Sequence, residues 1–355
     1  MKTHPYYLTI CFALLIAAGS WGLFWIPQRA FEANGLTGGW GTIAQMYVPL
    51  LMLAPIAIWR KMQGKSFGLD YPLIGLLMGG GIACYANSFL LTDVVRALIL
   101  FYMTPVWATM YELLFRKQKP QWYRAVTITL ALSGVWIVFS QGLTFPVPQN
   151  AGDWVALVGG MLFAGGAVRT EMVQPKDIFS LLISFFFCGG LVTLVIAYFL
   201  GDTLGPMPTN DAWIAMMPWL LLMSAVFLIP TNIVLLWTPS VVGGGLYSII
   251  ILIEIVVGSA SAAVLTDESF GWREIVGSML IITAGLTEIV LATKIMKFDI
   301  FLKSFKNDPN RNLIIVIITI ALIAFLIWAT TTDSGKKIFS SEYRECREIL
   351  REPLC

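Results

Sequence analysis

The sequence predicts an all-α polytopic membrane protein. The expected form is a ten-helix inverted-repeat (5+5) bundle plus an additional C-terminal transmembrane helix. Three observations carry that expectation. Hydrophobic residues make up 57% of the 355 and charged residues only 12%, about half the ~25% charged share of a soluble domain. The apolar residues come in runs of spanning length, since about 20 residues at ~1.5 Å each cross a ~30 Å hydrocarbon core. The cationic residues alternate between connections. Lys2, the clusters at 60–65 and 116–124, Arg169 with Lys176, and the cluster at 294–311 fall on one side, and the loops between spans on the other hold only Arg29, Arg96 and Arg273. That asymmetry puts the N-terminus in the cytoplasm, and the inner membrane of the cell is the expected location.

The first apolar run has the outline of a leader peptide up to Ala17-Ala18-Gly19-Ser20. It continues through Trp21-Gly22-Leu23-Phe24-Trp25-Ile26 to spanning length, so it reads as a retained first helix. Further spans are expected at 42–59, 71–91, 95–115 and 124–139, closing a first repeat at 1–139. A polar link, 140–153, carries Pro146 and Pro148. The second repeat, 154–292, gives spans at 154–169, 178–200, 212–237, 241–265 and 272–292. A basic cytoplasmic linker at 293–312, an extra helix at 313–330 and a polar tail at 331–355 follow. An outer tail would let Cys346 and Cys355 form a disulfide.

The halves echo each other. Trp122 and Gly134 after span four correspond to Trp272 and Gly285 after span nine, and Leu23-Phe24 before Arg29 to Leu162-Phe163 before Arg169. Five spans per repeat invert the second copy and put a solute site between the halves near mid-membrane.

Several function classes drop out. With one histidine, His4, and no Cys-x-x-Cys, zinc constellations are not expected. No Gly-x-x-x-x-Gly-Lys-Ser/Thr is present, so no nucleotide is expected to drive the protein directly. A net charge of +2 does not argue for nucleic acid. Every Asp lies in a loop or at a span edge, which argues against paired-carboxylate chemistry in the membrane. We expect no enzyme, no cofactor and no metal. Cys11, Cys84 and Cys188 fall in apolar runs and read as small packing residues.

The exception to the apolar pattern is Glu254, near the middle of the run at 241–265. A charged side chain there costs at least ~2.5–3.5 kcal/mol on insertion scales, so it should face protein or a wet cavity. It reads either as a coupling or counter-charge site or as a buried, hydrogen-bonded carboxyl. Trp21 and Trp25, four apart, should share a helix face, with Tyr102, Trp107 and Tyr247 extending an aromatic wall; interfacial aromatics are the alternative, most of all for Trp25. Asn87 and Asn232 would bind solute or bond between helices. Arg96 would pair with Asp93 or hold a carboxylate. Glu112 is expected at a gate or paired with Arg116 at i,i+4, and Arg169 as a snorkelling residue. Pro105 and Pro230 should bend their helices and bear on gating. Gly75-x-x-x-Gly79 and Gly258-x-x-x-Ala262 are expected packing faces, and Gly243-Gly244-Gly245 opens span nine as packing or hinge.

Five features resemble the drug/metabolite transporter superfamily of EamA type. They are Trp21-Gly22 with Arg29 beyond it, Thr104-Pro105-Val106-Trp107, the basic turn at 116–119, Glu254-Ile255-Val256, and Asp267-Glu268. Ile255 stands where that family often has proline, and its Gly-Glu-Arg triplets are missing. The resemblance covers about residues 8–292 and implies two inverted five-helix repeats around a central cavity, with alternating access. The expected function is secondary transport of a small-molecule metabolite, an amino acid or related amine, in a lipid bilayer with a proton or sodium ion as coupling ion. A proton-coupled exporter of lipophilic cations and a non-transporting membrane scaffold or sensor are the alternatives.

Overall fold

A computed structural model describes residues 7–64, 68–116, 122–139, 147–200, 203–265 and 271–294. The expected extra helix and tail, with Cys346 and Cys355, lie outside the described residues, as do Lys117, Lys119, Asp267, Glu268 and the basic linker beyond Lys294.

The described chain folds into helices with no strand among them. Nine stretches are long and apolar enough to cross a membrane, and Asp70–Ser88 adds a tenth helix between the second and fourth spans. The protein is an integral, multi-pass membrane protein. Spans two, five, six, seven and ten run unbroken as Gly39–Met62, Trp122–Phe139, Ala151–Val173, Ile178–Leu200 and Trp272–Lys294.

Four spans are interrupted. Span one is Tyr7–Trp21 and Trp25–Ala33, joined by turns in which the Gly22, Leu23 and Phe24 amides bond three residues back. Span four is Val94–Phe101 and Thr104–Phe115. Pro105 has no N–H for the Phe101 carbonyl four residues back, and the Thr104 hydroxyl takes that carbonyl at 2.6 Å. Span eight passes from Asn210–Met223 through a π-helical turn, Ser224–Leu228, into Ile229–Trp237 and a short Pro239–Val242. There Pro230 sits in the first helical turn after the π segment, a locally widened turn. Beside it Thr231 Oγ1 and Asn232 Nδ2 donate to the Phe227 and Leu228 carbonyls at 2.6 and 2.8 Å.

Span nine departs most from expectation. A single helix over 241–265 becomes Gly244–Ile250 and Ile253–Leu265. Gly243 turns the chain with φ +88°, a conformation that favours glycine. The second break, at Ile251 and Leu252, falls in a run of β-branched residues that hold a helix weakly. It is present with Ile255 in the place of the proline.

Glycines set the closest helix crossings. A Cβ on Gly75 would lie 2.5 Å from Ser184, so the Gly75–Gly79 face packs on span seven. One on Gly81 would lie 2.9 Å from the Gly159 carbonyl, joining spans three and six. One on Gly22 would lie 2.7 Å from the Gly258 nitrogen, joining spans one and nine. Gly134 meets Gly277, where a Cβ would lie 2.6 Å from the carbonyl; Gly285, its expected counterpart, faces open space.

Candidate functional site

A cavity of about 40 Å³ lies where residues of the first half meet those of the second. A water needs roughly 10–15 Å³ by this measure, so the cavity has room for a few waters and not yet for a metabolite. Six rings wall it: Trp21, Tyr85, Phe101, Phe163, Phe185 and Tyr247. Asn232 and Glu254 are its polar side chains apart from those rings' own N–H and O–H groups, and Ala18, Met78, Ile82, Leu235, Leu236 and Ile251 complete it.

The break in span nine is what brings Glu254 here. The residue lies in the first turn of Ile253–Leu265, where the positive end of the helix dipole favours a carboxylate. The side chain is half-buried and forms part of the cavity wall. Behind the wall, the Tyr102 hydroxyl stands 3.4 Å from that of Tyr85. The Trp21 indole N–H and the Tyr247 hydroxyl are buried without a hydrogen-bond partner, at a typical cost of about 1–3 kcal/mol each. A buried donor left open beside a cavity suits a guest better than it suits packing.

Of the residues expected at the site, Trp21, Tyr247, Asn232 and Glu254 line the cavity, and Tyr102 lies behind the lining Tyr85. Four others do not. Trp25 fails because span one breaks between it and Trp21, which cancels the shared face; its Nε1 donates to Ser261 Oγ at 3.0 Å and the Arg29 guanidinium stacks 4.8 Å over its ring. Trp107 packs with Ala108, Ala164 and Val168. Asn87 bonds Thr193 Oγ1 of span seven at 3.2 Å, an interhelical role. Arg96 pairs with Asp153 and not with Asp93: its Nε donates to both carboxylate oxygens at 3.2 and 3.3 Å, with Nη2 on the Val147 carbonyl at 3.0 Å. Asp153 also accepts from Thr92 and from the Gln149 amide, which leaves Arg96 committed to structure.

The pairing expected for Glu112 is also corrected. Glu112 pairs with Arg124, and Arg116 pairs with Glu171 across the bundle. Glu112 accepts the Gly245 amide at 2.7 Å and Glu171 the Gly244 amide at 2.9 Å. Arg124 Nε and Thr127 Oγ1 donate to Glu288 at 3.2 and 2.7 Å. Three carboxylates no more than 8% exposed are thus fully engaged at the Gly243 end of the bundle. The bare backbone of Gly244 and Gly245 is what lets them approach: a Cβ on Gly245 would lie 2.6 Å from the Arg124 guanidinium. Arg169 pairs with Asp70 at 2.5 Å instead of standing alone.

Sequence reasoning missed Tyr85, Phe101, Phe163 and Phe185. Tyr85 carried a usable signal, a hydroxyl mid-span two residues from Asn87; the phenylalanines carried none beyond the echo at Phe163. Cys11, Cys84 and Cys188 are buried and free.

Residues 8–140 match the EamA-like transporter family. No curated protein matches the chain. A solved structure titled only "Crystal structure of protein" shares the fold at a TM-score of 0.59 with 12% identity, over 81% of this chain and 97% of that one. Residues 8–140 are thus similar to the EamA-type permeases, and the solved structure shows a likeness of fold.

Proposed function

Taking the EamA-like domain at residues 8–140 as premise, we propose that the chain is a secondary transporter moving a small organic metabolite by alternating access. The solute is an amino acid or related amine. The observation that carries the reading is Glu254, a carboxyl in the wall of a mid-bundle cavity beside two donors without partners. The carboxyl is the counter-charge for an ammonium group or the seat of a coupling proton or sodium ion. The open Trp21 N–H and Tyr247 O–H meet acceptors on the solute, and the rings take its apolar part or a cation face-on.

The two halves act as inverted repeats. Their fourth members, spans four and nine, both break after a short first segment of 8 and 7 residues. The Gly243 end is cytoplasmic by its surplus of Lys and Arg, in the inner membrane of the cell. There Glu112, Arg116 and Arg124 of one half hold Glu171, Gly245 and Glu288 of the other. Opening that side parts these contacts, which makes Glu112 a gating residue, with the breaks at Pro105 and Pro230 as the places where the helices bend. Asn232 lines the path.

The aromatic wall favours a second reading, a proton-coupled exporter of lipophilic cations. Flux of an amino acid mixture and of a quaternary ammonium dye into proteoliposomes under imposed pH gradients separates the two. Gradient-driven amino acid flux lost in Glu254→Gln supports the first reading. Dye flux alone supports the second, and no flux of either sort argues for a scaffold or sensor.

A further inference from the structure

Within the solute class just proposed, we infer that the cavity selects a primary amine carrying a neutral hydrogen-bond acceptor, an amino alcohol or amino amide. It does so over the amino acid of the same side chain and over a quaternary ammonium. The inference rests on the carrier reading and narrows it, from the groups that face the cavity.

Those groups have an acceptor side and a donor side. Glu254 is the charged residue of the lining, and no Lys or Arg joins it there among the described residues. Asn232, 2% exposed, commits its Nδ2 to the Leu228 carbonyl at 2.8 Å, which leaves Oδ1 as a second acceptor. On the donor side stand the Trp21 indole N–H and the Tyr247 hydroxyl, both buried and without a partner. The arginines inside the bundle are held elsewhere: Arg96 by Asp153, Arg116 by Glu171, and Arg124 by Glu112 and Glu288.

A protonated primary amine brings N–H donors and a positive charge, which suit Asn232 Oδ1 and Glu254 and leave the enclosure neutral. A hydroxyl or amide carbonyl on the same solute answers the Trp21 and Tyr247 donors without adding charge. A carboxylate in that place restores a net negative charge beside Glu254. No cation in the lining offsets it, and a buried charge without a counter-ion is costly. A quaternary ammonium has the charge but no N–H for the two acceptors. The polar groups therefore fit one pattern: amine at Glu254, neutral acceptor at Trp21 and Tyr247, and an apolar body against Phe101, Phe163 and Phe185.

The test measures binding to the purified full chain by thermal unfolding against solute concentration, at a pH that keeps the amines protonated. Matched solutes are built on the leucine, phenylalanine and tryptophan skeletons. Each set holds the amino alcohol, the amino acid, the plain amine without an acceptor, and the amino alcohol trimethylated at nitrogen. The expected result in at least one set is an amino alcohol bound about tenfold or more tighter than its amino acid and its trimethylated form. Tyr247→Phe should weaken the amino alcohol about fivefold, one lost hydrogen bond, and leave the plain amine where it was. An amino acid or trimethylated form that binds as tightly as its amino alcohol overturns the inference. So does a Tyr247→Phe that weakens neither amine or both alike, and should that variant not fold, the wild-type comparison decides alone. Where the binding is lost in Glu254→Gln, each of these outcomes counts against this inference only. Binding of no member of any set overturns the carrier reading and this inference with it.

Discussion

Two regions of this bundle hold carboxylates inside it and treat them in opposite ways. At the Gly243 end, Glu112, Glu171 and Glu288 each accept two or more hydrogen bonds, drawn from two arginines, a threonine and two glycine amides. At mid-bundle, Glu254 has a cavity in front of it and two buried donors nearby that bond nothing. Burying charge is costly, and a fully satisfied network is the usual way to tolerate it. The first region follows that rule and reads as a structural closure. The second leaves it unmet, as a site does when a visiting molecule supplies the missing partners. The difference separates a clasp from a binding place more sharply than charge alone.

The comparison can be broken first at the clasp. Arg124→Ala leaves Glu112 and Glu288 short of their shared cation, and removing one member of a buried pair costs about 3–5 kcal/mol. The denaturant midpoint of the purified protein should fall accordingly. Milder conditions should open the Gly243 end, read as faster modification of a cysteine placed at Ser248, whose own side chain is buried there.

A smaller effect is expected where span one meets span nine. Gly22→Val forces a side chain to within 2.7 Å of the Gly258 nitrogen, and overpacking of this kind costs about 1–3 kcal/mol. It also pushes Glu254 away from Trp21. Gly285→Ala, in open space, should change thermal unfolding little and so calibrates the first result.

The smallest effect, with the opposite sign, belongs to the cavity. Tyr247→Phe removes a hydroxyl that has no partner, so stability should hold or rise by up to about 1 kcal/mol. A loss of stability on that substitution would mean the hydroxyl is engaged, and the contrast between the two regions would weaken.

How much of this was legible in the sequence follows from what each signal depends on. The ten helices of 7–294 were readable because spanning length and charge alternation are local properties of the chain. Glu254 was readable because a lone acid in an apolar run stands out wherever it lies. The breaks were partly readable: Pro105 and Pro230 announce theirs, while those at Gly22 to Phe24 and at Ile251–Leu252 arise without proline and misled the placement of Trp25. The partners of Glu112, Arg96 and Arg116 were not readable. Each lies on another helix, 12 to 57 residues away for Arg124, Glu171 and Asp153, and sequence reasoning offered the near neighbour instead. Tyr85 and Phe163 reach the cavity through helix rotation, which glycine contacts such as Gly81 on Gly159 determine and no periodicity in such uniformly apolar helices records.

The most direct measurement pairs stability with solute response in Glu254→Gln. Thermal unfolding of wild type and variant would be followed with and without a panel of amino acids and amines. The account predicts similar unfolding temperatures without solute, stabilisation of the wild type by at least one member of the panel, and loss of that stabilisation in the variant. A variant that responds to the same solutes as strongly as the wild type would contradict it.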